Sequence, residues 1–128
     1  MAAPQQTPSH ELLAALIDSL KDPFLFVDTG HIIRYMNKAA LVHFRDGAGL
    51  LNQSLLNCHN ERSRSIILAT MAAFAAGDEE ERLISDNDRN RLYMRAVRDN
   101  QGRLLGYYER YEPPRHPLAR PLQAEELP

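Results

Sequence analysis

The order of strand-like and helix-like stretches constrains this chain more than any single residue does. Phe24-Leu25-Phe26-Val27 is a short apolar run rich in strand formers, Asp28-Thr29-Gly30 is a turn signal, and His31 to Met36 reads as a second strand. Together they predict a hairpin. A helical middle follows. Three more strands close the pattern: Glu81 to Ser85, Arg91 to Arg98 and Arg103 to Glu112, separated by the polar turns Asp86 to Asn90 and Asp99 to Gly102. Five strands with helices inserted between the second and third predict an α+β fold. The simplest assembly is one five-stranded antiparallel sheet with the helical segment covering one face.

The helices have their own start and stop signals. Thr7-Pro8 offers a capping hydroxyl followed by proline in a first turn. Leu12, Leu13, Leu16, Ile17 and Leu20 then recur at helical spacing, ending before Pro23. Asn37 should cap a short helix from Lys38 to Phe44, broken by Asp46-Gly47-Ala48-Gly49. Leu50 to Cys58 suits one or two short helical turns. Asn60 should cap a longer helix with Glu61 in its first turn, an apolar stripe of Ile66, Ile67, Thr70, Met71 and Phe74, and Gly77 just past its end. The predicted organisation is a tail and helix start over 1-11, a domain over 12-112 and a Pro-rich flexible tail over 113-128, with residues 1-6 also unstructured.

Composition narrows the class. The chain has 128 residues, 44% hydrophobic and 25% charged, which suits one domain able to bury a core unaided. Its net charge of -2, with both signs interspersed, gives no basic face for nucleic acid. No secretory leader or membrane-spanning run is present, and the single cysteine, Cys58, cannot form an internal disulfide. These features predict a cytoplasmic protein without a membrane partner.

Several residues within this order resemble the PAS family of sensory domains. The first hairpin, FLFVDTGHIIRYMNKAA, is similar to the family's apolar strand, D-x-x-G turn, second strand and Asn before a short helix. VRDNQGRLLGYYE resembles its last hairpin, with Asp99 and Gly102 at the turn and Gly106 in the strand. The resemblance covers about residues 12-112. NCHNERSRSIILATMAAFAAGD and RLYMRAVRDNQGRLLGYYE are most similar to a bacterial PAS subgroup with a Cys-His pair before the long helix, often joined to hemerythrin-like domains. The resemblance implies a PAS-like sheet, with a flanking N-terminal helix and a small molecule held between sheet and helices. The alternative is a ligand-free dimerisation or partner-binding platform. Output would pass to a signalling partner protein in trans, or the chain is a fragment.

The candidate ligand-binding residues are His59, Cys58, Tyr93 and Arg95. A neutral imidazole at His59 can ligate haem iron, hold a small molecule, or simply pack the helix entrance. Cys58 lacks the fuller motif of flavin-adduct domains and reads as a buried, packed thiol. No cofactor is named: haem through His59 stays open, and flavin is disfavoured. Tyr93 and Arg95 share one face of their strand and Leu92, Met94 and Ala96 the other; the cost of burying a guanidinium points Arg95 outward. An acidic ligand group held by His59 with Tyr93 or Arg95 is the sharpest site expectation. The remaining histidines read as scattered surface residues, and Asp78 to Glu81 as a solvated connection. Nothing pairs as nucleophile and base, so no enzyme is expected. Leu12, Leu13, Leu16, Ile17 and Leu20 are the candidate interface of a homodimer.

Overall fold

A computed structural model describes residues 7–115. The expected tails over 1-6 and from 116 onward lie outside these residues. The described elements are α1 (His10–Asp18), β1 (Phe24–Asp28), β2 (Ile33–Met36), α2 (Lys38–His43), α3 (Gly47–Leu50), a 3-10 turn (Leu55–Cys58), α4 (Glu61–Ala76), β3 (Glu81–Asp86), β4 (Arg91–Arg98) and β5 (Leu104–Glu112). The five strands form one sheet in the order β2-β1-β5-β4-β3, with every neighbouring pair antiparallel. The α+β expectation holds, and β4 has the bounds read from the sequence.

Four local readings are corrected. The cap of α1 is Ser9, whose Oγ accepts from the Leu12 amide at 3.1 Å, rather than Thr7. The helix also ends at Asp18, because the Ser19 amide and hydroxyl satisfy the carbonyls of Ala15 and Leu16. Leu20 therefore lies beyond it. The Gly47-Gly49 segment, expected as a break, is itself the short helix α3. Its backbone touches that of Leu41 so closely that a Cβ on Gly47 would lie 2.3 Å from the Leu41 carbonyl oxygen. The second strand begins at Ile33 instead of His31, since His31 takes a left-handed φ of 65° within the turn.

Asn37 is fully buried and joins three elements. Its Oδ1 accepts from Ala40 at 2.8 Å, capping α2, and from Phe24 at the start of β1 at 3.0 Å. Its Nδ2 donates to the carbonyls of Ile17 and Asp22, both at 3.1 Å. One side chain thus fixes the exit of α1, the first strand and the short helix, with all four amide hydrogen-bonding positions used.

The long helix behaves as its pattern predicts. Asn60 caps it through the Ser63 amide at 2.9 Å, and Gly77 closes it at φ 79°. Ile67, Thr70, Met71 and Phe74 are buried, packing with Leu25, Val27, Ile33, Met36, Leu55, Met94 and Tyr107. This core lies between the helical layer and one face of the sheet. The acidic connection is not merely solvated: Glu79 pairs with Arg82, Glu80 with Arg98, and Glu81 with Arg95 and Arg110.

Candidate functional site

Strand alternation assigns each β-residue to a face. Met94, buried in the core, lies opposite Glu109 on β5, which in turn lies opposite Leu25 on β1. The inner face of β4 and β5 therefore carries Leu92, Met94, Ala96, Tyr107, Glu109 and Tyr111. Tyr93 and Arg95 belong to the other face. There the Arg110 guanidinium sits 4.1 Å from the Tyr93 ring centre, and Arg95 approaches Glu81 at 3.9 Å. Phe24 and Tyr108 stack beside them at 4.8 Å.

This placement separates the four candidate residues. His59 enters α4 on the helical side of the sheet, while Tyr93 and Arg95 face away from it, so the three do not converge on one ligand. His59 is half-buried and ends the 3-10 turn, its amide donating to the Leu56 carbonyl. The Arg64 Nε–H donates to the carbonyls of Leu56 at 2.8 Å and His59 at 3.0 Å, closing the helix entrance. Burial, followed by the nearby Arg64 charge, pushes the His59 imidazole below its ordinary pKa. The protonated imidazole expected to attract an anion is thus disfavoured. Cys58 is exposed rather than packed, because the short turn leaves its side chain outside the core. Five clefts traced among the described residues are lined by none of the four.

Two histidines read as plain surface residues have specific partners. His31 Nδ1 lies 3.1 Å from the Tyr107 hydroxyl on the inner face. Its own pKa is lowered, burial outweighing the opposing pull of Asp28. The His43 ring packs 4.8 Å from Tyr111, which Phe44 also meets edge-on.

The residue missed in the sequence is Glu109. It is 3% exposed, and burial alone raises its carboxyl to about 7. Its neighbours across the sheet, Met94 on β4 and Leu25 on β1, are both apolar. Tyr107 and Tyr111 flank it two residues away on the same face, and the hydroxyls of both are pushed well up, first by burial and then by the Glu109 charge. The signal lay in that spacing: tyrosines at both i±2 positions put Glu109 on their own face.

On the opposite side, α1 buries none of its residues. Leu12, Leu13, Leu16 and Leu20 are 51%, 46%, 53% and 46% exposed. The Tyr35 hydroxyl, on the outer face of β2, holds the helix through Asp18 at 2.8 Å and Ala14 at 3.3 Å. Among the described residues, no helix is long and apolar enough to cross a membrane, and no group of three or more His, Cys, Asp or Glu converges on a metal position.

No protein-family model matches this sequence, nor does any curated protein. Solved structures do match. The C-terminal domain of a Streptococcus mutans protein superposes with TM-score 0.71 at 17% identity, over 86% of this chain and 92% of that one. A sensory box sensor histidine kinase from Vibrio cholerae gives 0.56 at 14% identity, over 79% and 87%. A PAS domain from Colwellia psychrerythraea gives 0.59 at 10% identity, over 80% and 94%. With the strand order, the helical layer on one face and the flanking α1, these likenesses show that the chain has the PAS fold.

Proposed function

We propose that this domain is a sensory and signalling module, rather than an enzyme, that acts as a homodimer paired through α1. The observation that carries the reading is the exposed apolar stripe of α1, which Tyr35 ties to the edge strand β2. Solitary exposed leucines need no explanation, but four on one short segment mark an interaction surface. Burying three or four of them against a second copy would contribute several kcal/mol, at roughly 1.5–3 kcal/mol each. The likeness to a sensory box of a histidine kinase supports the signalling role. The double variant Leu12→Glu, Leu16→Glu should be monomeric in light scattering where the parent chain is dimeric. A parent chain that is monomeric at high concentration rejects the reading.

Ligand sensing is the accompanying proposal, and the polar inner-face carboxyl of Glu109, buried between apolar Met94 and Leu25, favours it over a ligand-free platform. Native mass spectrometry of the purified protein tests it through any co-purifying compound.

A further inference from the structure

The segment between α1 and β1 is held at two points. The Asp22 carbonyl accepts from Asn37 Nδ2 at 3.1 Å, and the Pro23 carbonyl accepts from the Tyr111 amide at 3.1 Å. Residues 20–23 therefore form a fixed wall against the end of β5. That wall and the strand end line a cleft of about 360 Å³. Part of its lining is aromatic: the Phe24 and Tyr108 rings lie 4.8 Å apart, tilted by 35°. Leu20, 46% exposed, and Pro23 add apolar surface. With both ends of the wall tied down, a ligand entering here would have little chain to order.

The charges around the cleft narrow its chemistry. Four charged side chains line it, and two of them neutralise each other. Arg110 Nη1 donates to Glu112 Oε1 at 2.6 Å, and Glu112 Oε2 also lies 3.8 Å from Arg91 Nη1. The other two, Lys21 and Asp22, form no ion pair among the described residues. The cleft thus offers one uncommitted cation and one uncommitted anion beside an aromatic surface. A singly charged ligand would meet a like charge there as well as an opposite one. A zwitterion meets both with the right sign, through charge-assisted hydrogen bonds. The volume lies at the small end of the roughly 300–1,000 Å³ range of ligand sites, which suits a molecule of amino-acid size. A ring on that molecule would extend the Phe24–Tyr108 pair by the same offset or tilted contact.

We propose that this cleft binds an aromatic α-amino acid, its carboxylate on Lys21, its ammonium on Asp22 and its ring against Phe24 and Tyr108. The inference rests on the ligand-sensing reading and names the ligand class, with the ligand outside the core. Titration calorimetry of the full chain at pH 7, with phenylalanine, tyrosine and tryptophan as probes, tests it. At least one should bind. Phenylacetate and phenethylamine, each lacking one of the two charges, should bind at least tenfold more weakly. Lys21→Met and Asp22→Asn should each weaken the amino acid at least tenfold, the latter keeping the backbone carbonyl that Asn37 holds. Tyr108→Leu, which leaves both charges in place, should weaken it severalfold. Circular dichroism checks that all three are folded. No binding by any of the three amino acids, or equal binding by either charge variant or of either singly charged analogue, overturns the assignment. Native mass spectrometry separates this failure from that of sensing. A co-purifying compound retained by Lys21→Met and Asp22→Asn sinks the cleft while sensing stands; no compound and no amino-acid binding removes both.

Discussion

A single carboxyl makes the stability of this domain depend on pH in a particular direction. Glu109 has its folded pKa raised to about 7 from an ordinary 4.5, because burial disfavours the charged form. Near pH 4 it is protonated folded and unfolded, and its burial carries no charging cost. As pH rises from 4.5 to 7 the unfolded state ionises first, so stability falls over that window and levels off above it. The loss is at most about 3 kcal/mol, at 1.36 kcal/mol per unit. The groups packed around it do not counter this: Tyr107 and Tyr111 stay uncharged, and His31, bonded to Tyr107, has its charged form disfavoured. Glu109→Gln should therefore melt higher than the parent chain at pH 8 and within error of it near pH 4.5, in thermal scans followed by circular dichroism. Asp28 shifts the other way. Burial works to raise it, but the Arg34 guanidinium at 2.8 Å and the amides of Ile32 and Gly30 outweigh that and hold it low.

Among the elements, β1 and β5 are joined by a close backbone approach. Gly106 lies opposite Asp28 with φ 152°, and a Cβ there would stand 2.1 Å from the Val27 carbonyl oxygen. Backbone cannot yield as a flexible side chain could, so Gly106→Ala should cost roughly 2–4 kcal/mol in urea denaturation. A midpoint shift no larger than that of an exposed substitution would show that the strands can separate locally. The elements most legible in the sequence were those with redundant signals. The long helix had a cap, an acidic first turn, a stripe and a terminal glycine; β4 was bounded by turns on both sides. Less legible were positions with two acceptable answers. Thr7 and Ser9 are both capping residues, and only the Leu12 amide distinguishes them. On β4 the Leu92, Met94 and Ala96 set is wholly apolar and the other carries Arg95, so the outward reading of Arg95 was open to the sequence, and the register with β5 places it there. That register also decides Glu109, which in a strand reading LLGYYERYE looks like any solvated acid. His59 and Cys58 stood out by residue type, and their placement followed from a turn whose geometry the sequence left open.

At the scale of the whole molecule, the two faces of the sheet divide the work. One carries the core with Glu109 in it; the other carries aromatic rings, ion pairs and α1. No residue of α1 is fully buried within the chain, and the proposed pairing would cover the exposed half of its leucines against a second copy. The melting temperature should then rise with protein concentration, and the rise should vanish in the Leu12→Glu, Leu16→Glu variant, while the two proteins converge on dilution. A concentration-independent melting temperature in the parent chain would remove the pairing role of α1. Asn37 sets a different kind of collective behaviour. Its Oδ1 receives the amide hydrogens of Phe24 and Ala40, residues far apart in sequence and in different elements. Neither amide can be released without loosening the same side chain, and its Nδ2 grips on Ile17 and Asp22 oppose that release. In native-state deuterium exchange these two protons should open as one unit, with matching protection. Asn37→Ala should expose both together, so that a local clock on the first strand also times the short helix.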